Sequence, residues 1–106
     1  MVYLIEGTYP GTKAAEAANF FVERLKANPM PEYVKIRDLY AFAGGDGFKA
    51  LLFYDIDDGK EKEGTDWIGR AVVSFLQAVD GYKAKGRIVY TMEEAFQFID
   101  RQAPAV

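Results

Sequence analysis

The sequence predicts a small α+β domain in which strands and helices follow the order β-α-β-β-α-β, with a short third helix at the end. Four segments rich in β-branched and aromatic residues are bounded by glycine and proline turn signals. Two segments between them repeat apolar residues at the same helical spacing. The length of 106 residues suits one domain, which we assign to residues 1–106.

The first half of the chain predicts one helix between two strands. Strand 1 is predicted over Val2–Tyr9 because Pro10-Gly11 follows it, and Thr12 is the expected N-cap of helix 1. The buried stripe of helix 1 comprises Ala14, Ala17, Ala18, Phe21, Val22 and Leu25. Asn28-Pro29 ends this helix, and strand 2 is predicted over Tyr33–Ala43.

The second half begins with the return strand of a hairpin. A turn at Gly44-Gly45-Asp46-Gly47 leads into strand 3, Phe48–Ile56. Helix 2 is predicted to begin within Asp57–Glu63, where Asp58 and Glu61 resemble a capping box, and to end at Asp80-Gly81. Its buried stripe comprises Ile68, Ala71, Val72, Phe75, Leu76 and Val79.

The last strand and helix complete the pattern. Strand 4 is predicted over Tyr82–Tyr90, and Thr91 with Glu94 forms the expected capping box of the third helix. The buried side of that helix comprises Met92, Ala95, Phe96 and Ile99. Residues 102–106 read as a frayed tail.

Right-handed crossovers and the central hairpin predict a four-stranded antiparallel sheet in the spatial order 4-1-3-2, which is the ferredoxin-like arrangement. Both long helices then cover one face of the sheet, called the covered face below, and leave an open face. Strand alternation assigns Tyr3, Ile5, Gly7, Val34, Ile36, Tyr40, Phe42, Ala50, Leu52, Tyr54, Ala84, Gly86, Ile88 and Tyr90 to the covered face, although strand 1 is ambiguous. The open face receives Val2, Leu4, Glu6, Thr8, Lys35, Arg37, Leu39, Ala41, Lys49, Leu51, Phe53, Asp55, Lys83, Lys85, Arg87 and Val89.

The open face has an apolar centre, with Leu4, Leu51 and Phe53 on the two central strands. Leaving a large apolar side chain in water costs about 1.5–3 kcal/mol, and a contiguous patch of this kind marks an interface. We therefore expect a homodimer that packs open face against open face.

Basic residues on the edge strands of the open face have two interpretations. Lysine and arginine on edge strands discourage edge-to-edge aggregation. Alternatively, they bind a small anionic ligand beside an aromatic side chain. The candidate ligand-binding residues are Arg37, Phe53, Lys85, Arg87 and Trp67.

Two candidate catalytic residues stand on strand 1. Glu6 is a carboxylate in mid-strand, which is costly to cover unless it is paired with Lys85 or Arg87. Glu6 therefore has two alternative roles, as a member of a structural ion pair or as a general base with a perturbed pKa. Tyr3 is one of several strand tyrosines whose phenol either packs or donates to a developing oxyanion.

Composition narrows the chemistry. The chain has no cysteine and no histidine, so thiolate metal sites, disulfides and imidazole-ligated haem cannot be built. We predict no metal and no cofactor. The net charge of −3 disfavours nucleic-acid binding, no apolar run is long enough for a membrane span, and the N-terminus lacks the pattern of a signal peptide, so we expect a cytoplasmic protein.

The chain resembles an uncharacterised family within the dimeric α+β barrel superfamily. The resemblance rests on Gly44–Phe48 entering strand 3, Asp57-Asp58, Trp67 in helix 2, and Glu93-Glu94-Ala95. In that superfamily two ferredoxin-like subunits pack through their open faces, and its members include cofactor-free antibiotic-type monooxygenases and muconolactone isomerase-like proteins.

The resemblance implies a homodimeric small-molecule-binding protein of unknown function, a cofactor-independent oxygenase or isomerase for a small anionic or aromatic substrate. The alternative is a non-enzymatic dimeric binding or regulatory module. The first hypothesis predicts a pocket lined by tyrosine, phenylalanine and Glu6, whereas the second predicts a dry, filled interior.

Overall fold

The computed structural model describes residues 1–45, 47–102 and 104. The elements are β1 (Val2–Tyr9), a 3₁₀ turn (Gly11–Lys13), α1 (Ala14–Ala27), β2 (Val34–Gly44), β3 (Gly47–Ile56), α2 (Glu61–Ala78), β4 (Lys83–Val89) and α3 (Met92–Gln97). The strands form one antiparallel sheet in the order β2-β3-β1-β4, which confirms the predicted arrangement. Asp46 of the predicted turn and three of the predicted tail residues (103, 105 and 106) lie outside the described part.

The predicted N-cap of the first helix is wrong. The Lys13 amide donates to the Pro10 carbonyl at 2.9 Å, so the chain already turns through Gly11–Lys13 before α1 begins. Thr12 lies inside this turn, and Lys13 occupies the N-cap position without a side-chain hydrogen bond. The turn thus takes the place of a side-chain cap.

The predicted capping box of the second helix is also wrong. A backbone turn from the Lys60 amide to the Asp57 carbonyl, 3.0 Å long, delays the helix until Glu61. Asp58 lies in the exposed loop, where its carboxylate is 4.0 Å from the N-terminal ammonium of Met1.

The predicted capping box of the third helix is confirmed. The Glu94 amide donates to the Thr91 hydroxyl at 3.1 Å, and the Thr91 amide donates to the Glu94 carboxylate at 2.9 Å. The hydrogen bond from the Thr91 amide, followed by one from the Thr91 hydroxyl, lowers the pKa of the Glu94 carboxyl.

The β2–β3 hairpin is confirmed, but it contains a β-bulge. Ile36 lies opposite Tyr54, whereas Asp38 lies opposite Phe53, so Arg37 is an extra residue in β2. Beyond it, Leu39 pairs with Leu52 and therefore faces the helices.

The bulge corrects the face assignment of the outer half of β2. Leu39 and Ala41 lie on the covered face, and Tyr40 and Phe42 lie on the open face, which is the reverse of the prediction. The rings of Tyr40 and Phe53 accordingly meet edge to face at 6.3 Å on the open face.

The core lies between the sheet and the helices. Its buried cluster comprises Ile5, Val34, Leu52, Tyr54, Ile56 and Ile68. A β-carbon on Gly64 would lie 2.5 Å from a methyl carbon of Ile56, so glycine at this position lets α2 approach β3 closely. None of the helices described here combines the length and the apolar character that crossing a membrane requires.

Candidate functional site

A row of four small residues crosses the covered face of the sheet. Ala84 lies opposite Gly7, Gly7 opposite Ala50, and Ala50 opposite Ala41, one residue from each strand. The next row on this face carries the large side chains of Ile5, Leu52 and Leu39 on three of its four strands. The row of small residues presents only hydrogen atoms and methyl groups. The sheet is therefore recessed along this line.

Small residues on the helices face the recess. Ala17 and Ala18 of α1 and Ala71 of α2 stand above it, and together these positions leave a cavity of about 290 Å³. Its lining comprises Ile5, Tyr9, Ala17, Ala18, Phe21, Val22, Leu39, Ala41, Ala50, Leu52, Tyr54, Ala71, Val72, Phe75 and Tyr82. The cavity lies between the sheet and the helices and is called the covered cavity below.

Three tyrosines supply the polar groups of this lining. Tyr54 is 6% exposed, and burial, reinforced by nearby Tyr82, raises the pKa of its phenol to about 12. Burial also raises the pKa of Tyr82, with a further contribution from Tyr9. Both phenols are therefore neutral at pH 7 and can donate a hydrogen bond.

An aromatic stack holds Tyr9 and Tyr82 beside the cavity, where β1 ends. The ring of Tyr9 lies between Phe48, at 5.9 Å and 13°, and Tyr82, at 6.4 Å and 22°. Phe75 of α2 packs on the other side of Tyr82, at 5.3 Å between ring centroids. The ring of Tyr82 is thus held between β1 and α2.

Every residue that lines the covered cavity is uncharged. Burying an ionised ligand there would be costly because no opposite charge is available to pair with it. The site can surround an apolar body and donate hydrogen bonds to an oxygen atom, but its lining holds no carboxylate or amine that could accept a proton at pH 7.

The candidate residues of the open face meet in a different place. Arg37 and Phe53 line a second cavity of about 280 Å³, together with Val2, Asp38, Val89, Tyr90 and Thr91. The Arg37 guanidinium is 3.6 Å from the Asp55 carboxylate. The Asp55 carboxylate is therefore already close to Arg37, and Asp38 also lines this cavity.

Glu6 faces the open side of the sheet and is not part of the covered cavity. Its carboxylate lies 3.4 Å from the Arg87 guanidinium, and Lys85 is its register partner on β4. The Glu6 side chain is 25% exposed and that of Arg87 is 53% exposed. This arrangement matches the structural ion pair among the two alternatives for Glu6.

Tyr3 and Trp67 pack against the buried core cluster and do not line either cavity. A β-carbon on Gly86 would lie 2.6 Å from the Tyr3 hydroxyl, so Tyr3 lies across β4 on the covered face. Within residues 1–45, 47–102 and 104, no group of three or more acidic side chains is placed to hold a metal ion.

None of the candidate site residues from the sequence lines the covered cavity; Leu39 and Ala41 were assigned to the open face, and Tyr9 and Tyr82 to neither face. Tyr82 falls within the predicted strand 4, and alternation with Ala84 would have assigned it to the covered face. A usable signal is the small size of Ala50 and of its register partner Ala41, which predicts a recess once the register is known.

No family model and no curated protein matches the chain. Among solved structures, the chain is similar to a candidate antibiotic biosynthesis monooxygenase from Caulobacter crescentus CB15, with 18% sequence identity and a TM-score of 0.50. The match covers 85% of this chain and 90% of the other. At this identity the likeness shows the fold, and it confirms the ferredoxin-like α+β class that the sequence predicted.

Proposed function

We propose that this protein binds a small, uncharged, mainly apolar molecule, such as a phenol with one or two rings, in the covered cavity. The observation that carries the proposal is a hollow of about 290 Å³ whose lining is uncharged and whose polar groups are tyrosine hydroxyls. That volume lies at the lower end of the roughly 300–1,000 Å³ typical of ligand sites. The aromatic walls favour a flat ring, and the hydroxyls favour one oxygen on it.

The sequence also led us to expect an oxygenase or isomerase that needs no cofactor. In such an oxygenation a CH₂ group and O₂ give a C=O group and water, and the substrate must first lose a proton. Tyr54 and Tyr82 can stabilise the resulting oxyanion by donating hydrogen bonds. Because the lining offers no base, only a substrate that already loses its proton in water would react. A molecule that keeps its proton would be bound without reaction, which is the alternative of a non-enzymatic binding module.

Filling the cavity tests the binding proposal. Ala50→Leu adds three carbon atoms to the centre of the small-residue row, and we expect it to abolish binding of 1-naphthol in a titration followed by NMR. Ala27→Leu, at the exposed end of α1 and outside the lining, is the matched control and should bind like the wild type. Equal binding by Ala50→Leu and the wild type would rule out this cavity as the site, and failure of the wild type to bind any neutral phenol would overturn the proposal.

Oxygen consumption tests catalysis separately from binding. With 1,3-indandione, whose CH₂ group between two carbonyls readily loses a proton in water, an oxygenase should take up O₂ and form the trione and water faster than the uncatalysed solution. Tyr82→Phe should slow this uptake by about 10²-fold or more if Tyr82 stabilises the oxyanion, while binding changes little. Binding without any enhanced uptake would identify the protein as a binding module.

We also propose that two copies associate through their open faces. Tyr40 and Phe42 are 57% and 51% exposed, and they extend the apolar centre formed by Leu51 and Phe53. Tyr40→Glu should convert a dimer into a monomer in native mass spectra and leave binding to the covered cavity intact, because the two sites lie on opposite faces. A wild-type protein that stays monomeric at high concentration would contradict the dimer.

The small anionic ligand expected from Arg37, Lys85 and Arg87 stays a prediction for this face.

A further inference from the structure

The lining of the covered cavity is unevenly exposed. Leu52 and Tyr54 are buried in the sheet, at 9% and 6% exposure, whereas Val22 of α1 and Leu39 of β2 are 50% and 49% exposed. Both exposed side chains contact the same cavity. The cavity therefore reaches the surface between α1 and β2.

The fold explains why the opening lies on this side. β2 is an edge strand, so no further strand extends the sheet beneath the rim of the cavity. The bulge at Arg37 turns Leu39 towards α1. Regular alternation from Ile36 would instead have turned the polar residue Asp38 to this face. The rim is consequently aliphatic at both sides.

We propose that ligands enter and leave the covered cavity between α1 and β2, and that Val22 and Leu39 determine the largest ligand admitted. This inference rests on the proposed function. An aliphatic rim admits a ligand that has already shed much of its water and disfavours a charged one. A larger side chain at either position should therefore act on entry and exit, and most strongly for the bulkier ligand.

Bulky substitutions at the rim test the role of these residues. In stopped-flow binding with 1-naphthol, Leu39→Trp and Val22→Trp should lower the association rate constant by about tenfold or more, with a smaller effect on phenol, because the rim must open before the ligand passes. The matched controls are Leu76→Trp and Val73→Trp, which are 48% and 50% exposed on α2 and do not line the cavity. They should bind within about twofold of the wild type.

Equal association rates for the rim variants and the α2 controls would overturn the inference while leaving the binding proposal in place. If the wild type does not bind 1-naphthol at all, the proposed function itself is overturned, and this result is distinguishable from equal association rates. A second measurement then decides whether the opening itself exists.

That second measurement needs no ligand. Because the chain has no cysteine, Leu39→Cys introduces a unique thiol at the rim. Labelling it with benzyl methanethiosulfonate should place a ring inside the cavity and raise Tm by about 4 °C or more above the same variant carrying a methylthio label. Leu76→Cys, labelled in the same two ways, should show no such difference. An equal Tm for the two labels at position 39 would show that the rim does not lead into the cavity.

Discussion

The hydroxyl oxygen of Tyr82 lies 2.6 Å from the point that a β-carbon on Gly7 would occupy. A carbon and a non-bonded oxygen do not approach so closely, so the position of the Tyr82 ring depends on the missing side chain of residue 7. The same glycine belongs to the small-residue row, of which Ala41 and Ala50 line the covered cavity. The absence of a side chain at residue 7 thus lets the phenol of Tyr82 lie directly against the sheet.

Adding one methyl group at Gly7 should displace Tyr82. Because the ring of Tyr82 is held by Tyr9 and Phe75, we expect Gly7→Ala to lower the free energy of unfolding by about 1–3 kcal/mol, as overpacking does. It should also weaken binding of 1-naphthol. Urea unfolding and an NMR titration measure the two effects.

Gly69→Ala is the control for this experiment. Gly69 lies in α2, and a β-carbon there meets no atom within 4 Å. Alanine should stabilise the helix by about 0.8–1.0 kcal/mol. A Gly7→Ala variant as stable as the wild type would show that Tyr82 moves aside at no cost.

Burial of Tyr54 makes stability depend on alkaline pH. Its pKa in the folded protein is raised to about 12, whereas an unfolded chain has a tyrosine pKa near 10. The neutral phenol is therefore favoured by folding, and the free energy of unfolding should decline as pH rises from about 10 through 12, by about 2–3 kcal/mol in total. The raised pKa of Tyr82 acts in the same direction.

Absorbance at 295 nm and urea unfolding between pH 8 and 12.5 check this prediction. Lysines lose their charge in the same range, so Tyr54→Phe is the necessary comparison. That variant should show a shallower decline and should lack one late-titrating phenol. If Tyr54 titrates near pH 10, it is in contact with water in solution.

The bulge should make deletion of one residue in β2 unusually mild. Removing Arg37 leaves Ile36 opposite Tyr54 and Asp38 opposite Phe53, so both halves of the strand keep their faces. We expect the deletion to cost roughly 1–2 kcal/mol, including the loss of the exposed ion pair with Asp55, and to preserve the covered cavity. Urea unfolding and 1-naphthol binding measure both expectations.

Deletion of Leu39 is the contrasting variant. It moves either Phe42 or Asp38 onto the covered face, which fills the cavity or buries a carboxylate there. Stability and binding should both be lost. Equal damage from the two deletions would contradict the assignment of Arg37 as the extra residue.

The Glu6–Arg87 pair should matter little for the covered cavity. Glu6→Gln removes a charge on the opposite face, in a pair that is partly open to solvent. We expect a change of less than about 1 kcal/mol in the free energy of unfolding and unchanged binding of 1-naphthol. A large loss of turnover on a substrate that the wild type converts would instead restore Glu6 as a catalytic base.

The element order, the hairpin and the sheet topology could be predicted because each depends on local patterns that tertiary packing reinforces. The faces of β2 could not be predicted beyond Ile36. The bulge at Arg37 has no glycine or proline to signal it, and one extra residue reverses every later side chain.

The cavity was harder to predict than the fold. The absence of cysteine and histidine excluded thiolate and imidazole sites, but it did not indicate where a cavity would lie. Ala41 was assigned to the wrong face, so the row of small residues was incomplete in the sequence, and the packing of Tyr82 against Gly7 and Phe75 could not be predicted. Both depend on contacts between residues far apart in the chain.

The row from Ala84 through Gly7 and Ala50 to Ala41 has a consequence for engineering. Its side chains take no part in the backbone ladder of the sheet, so the hollow above three of the four strands can be enlarged or reduced in steps of about one methyl group while the hydrogen-bonding pattern stays the same. Exchanging Ala41 or Ala50 for glycine, serine or valine would then yield a graded set of receptors on one unchanged scaffold. Ala41 and Ala50 thus offer a way to retune selectivity by changes smaller than those that usually endanger folding.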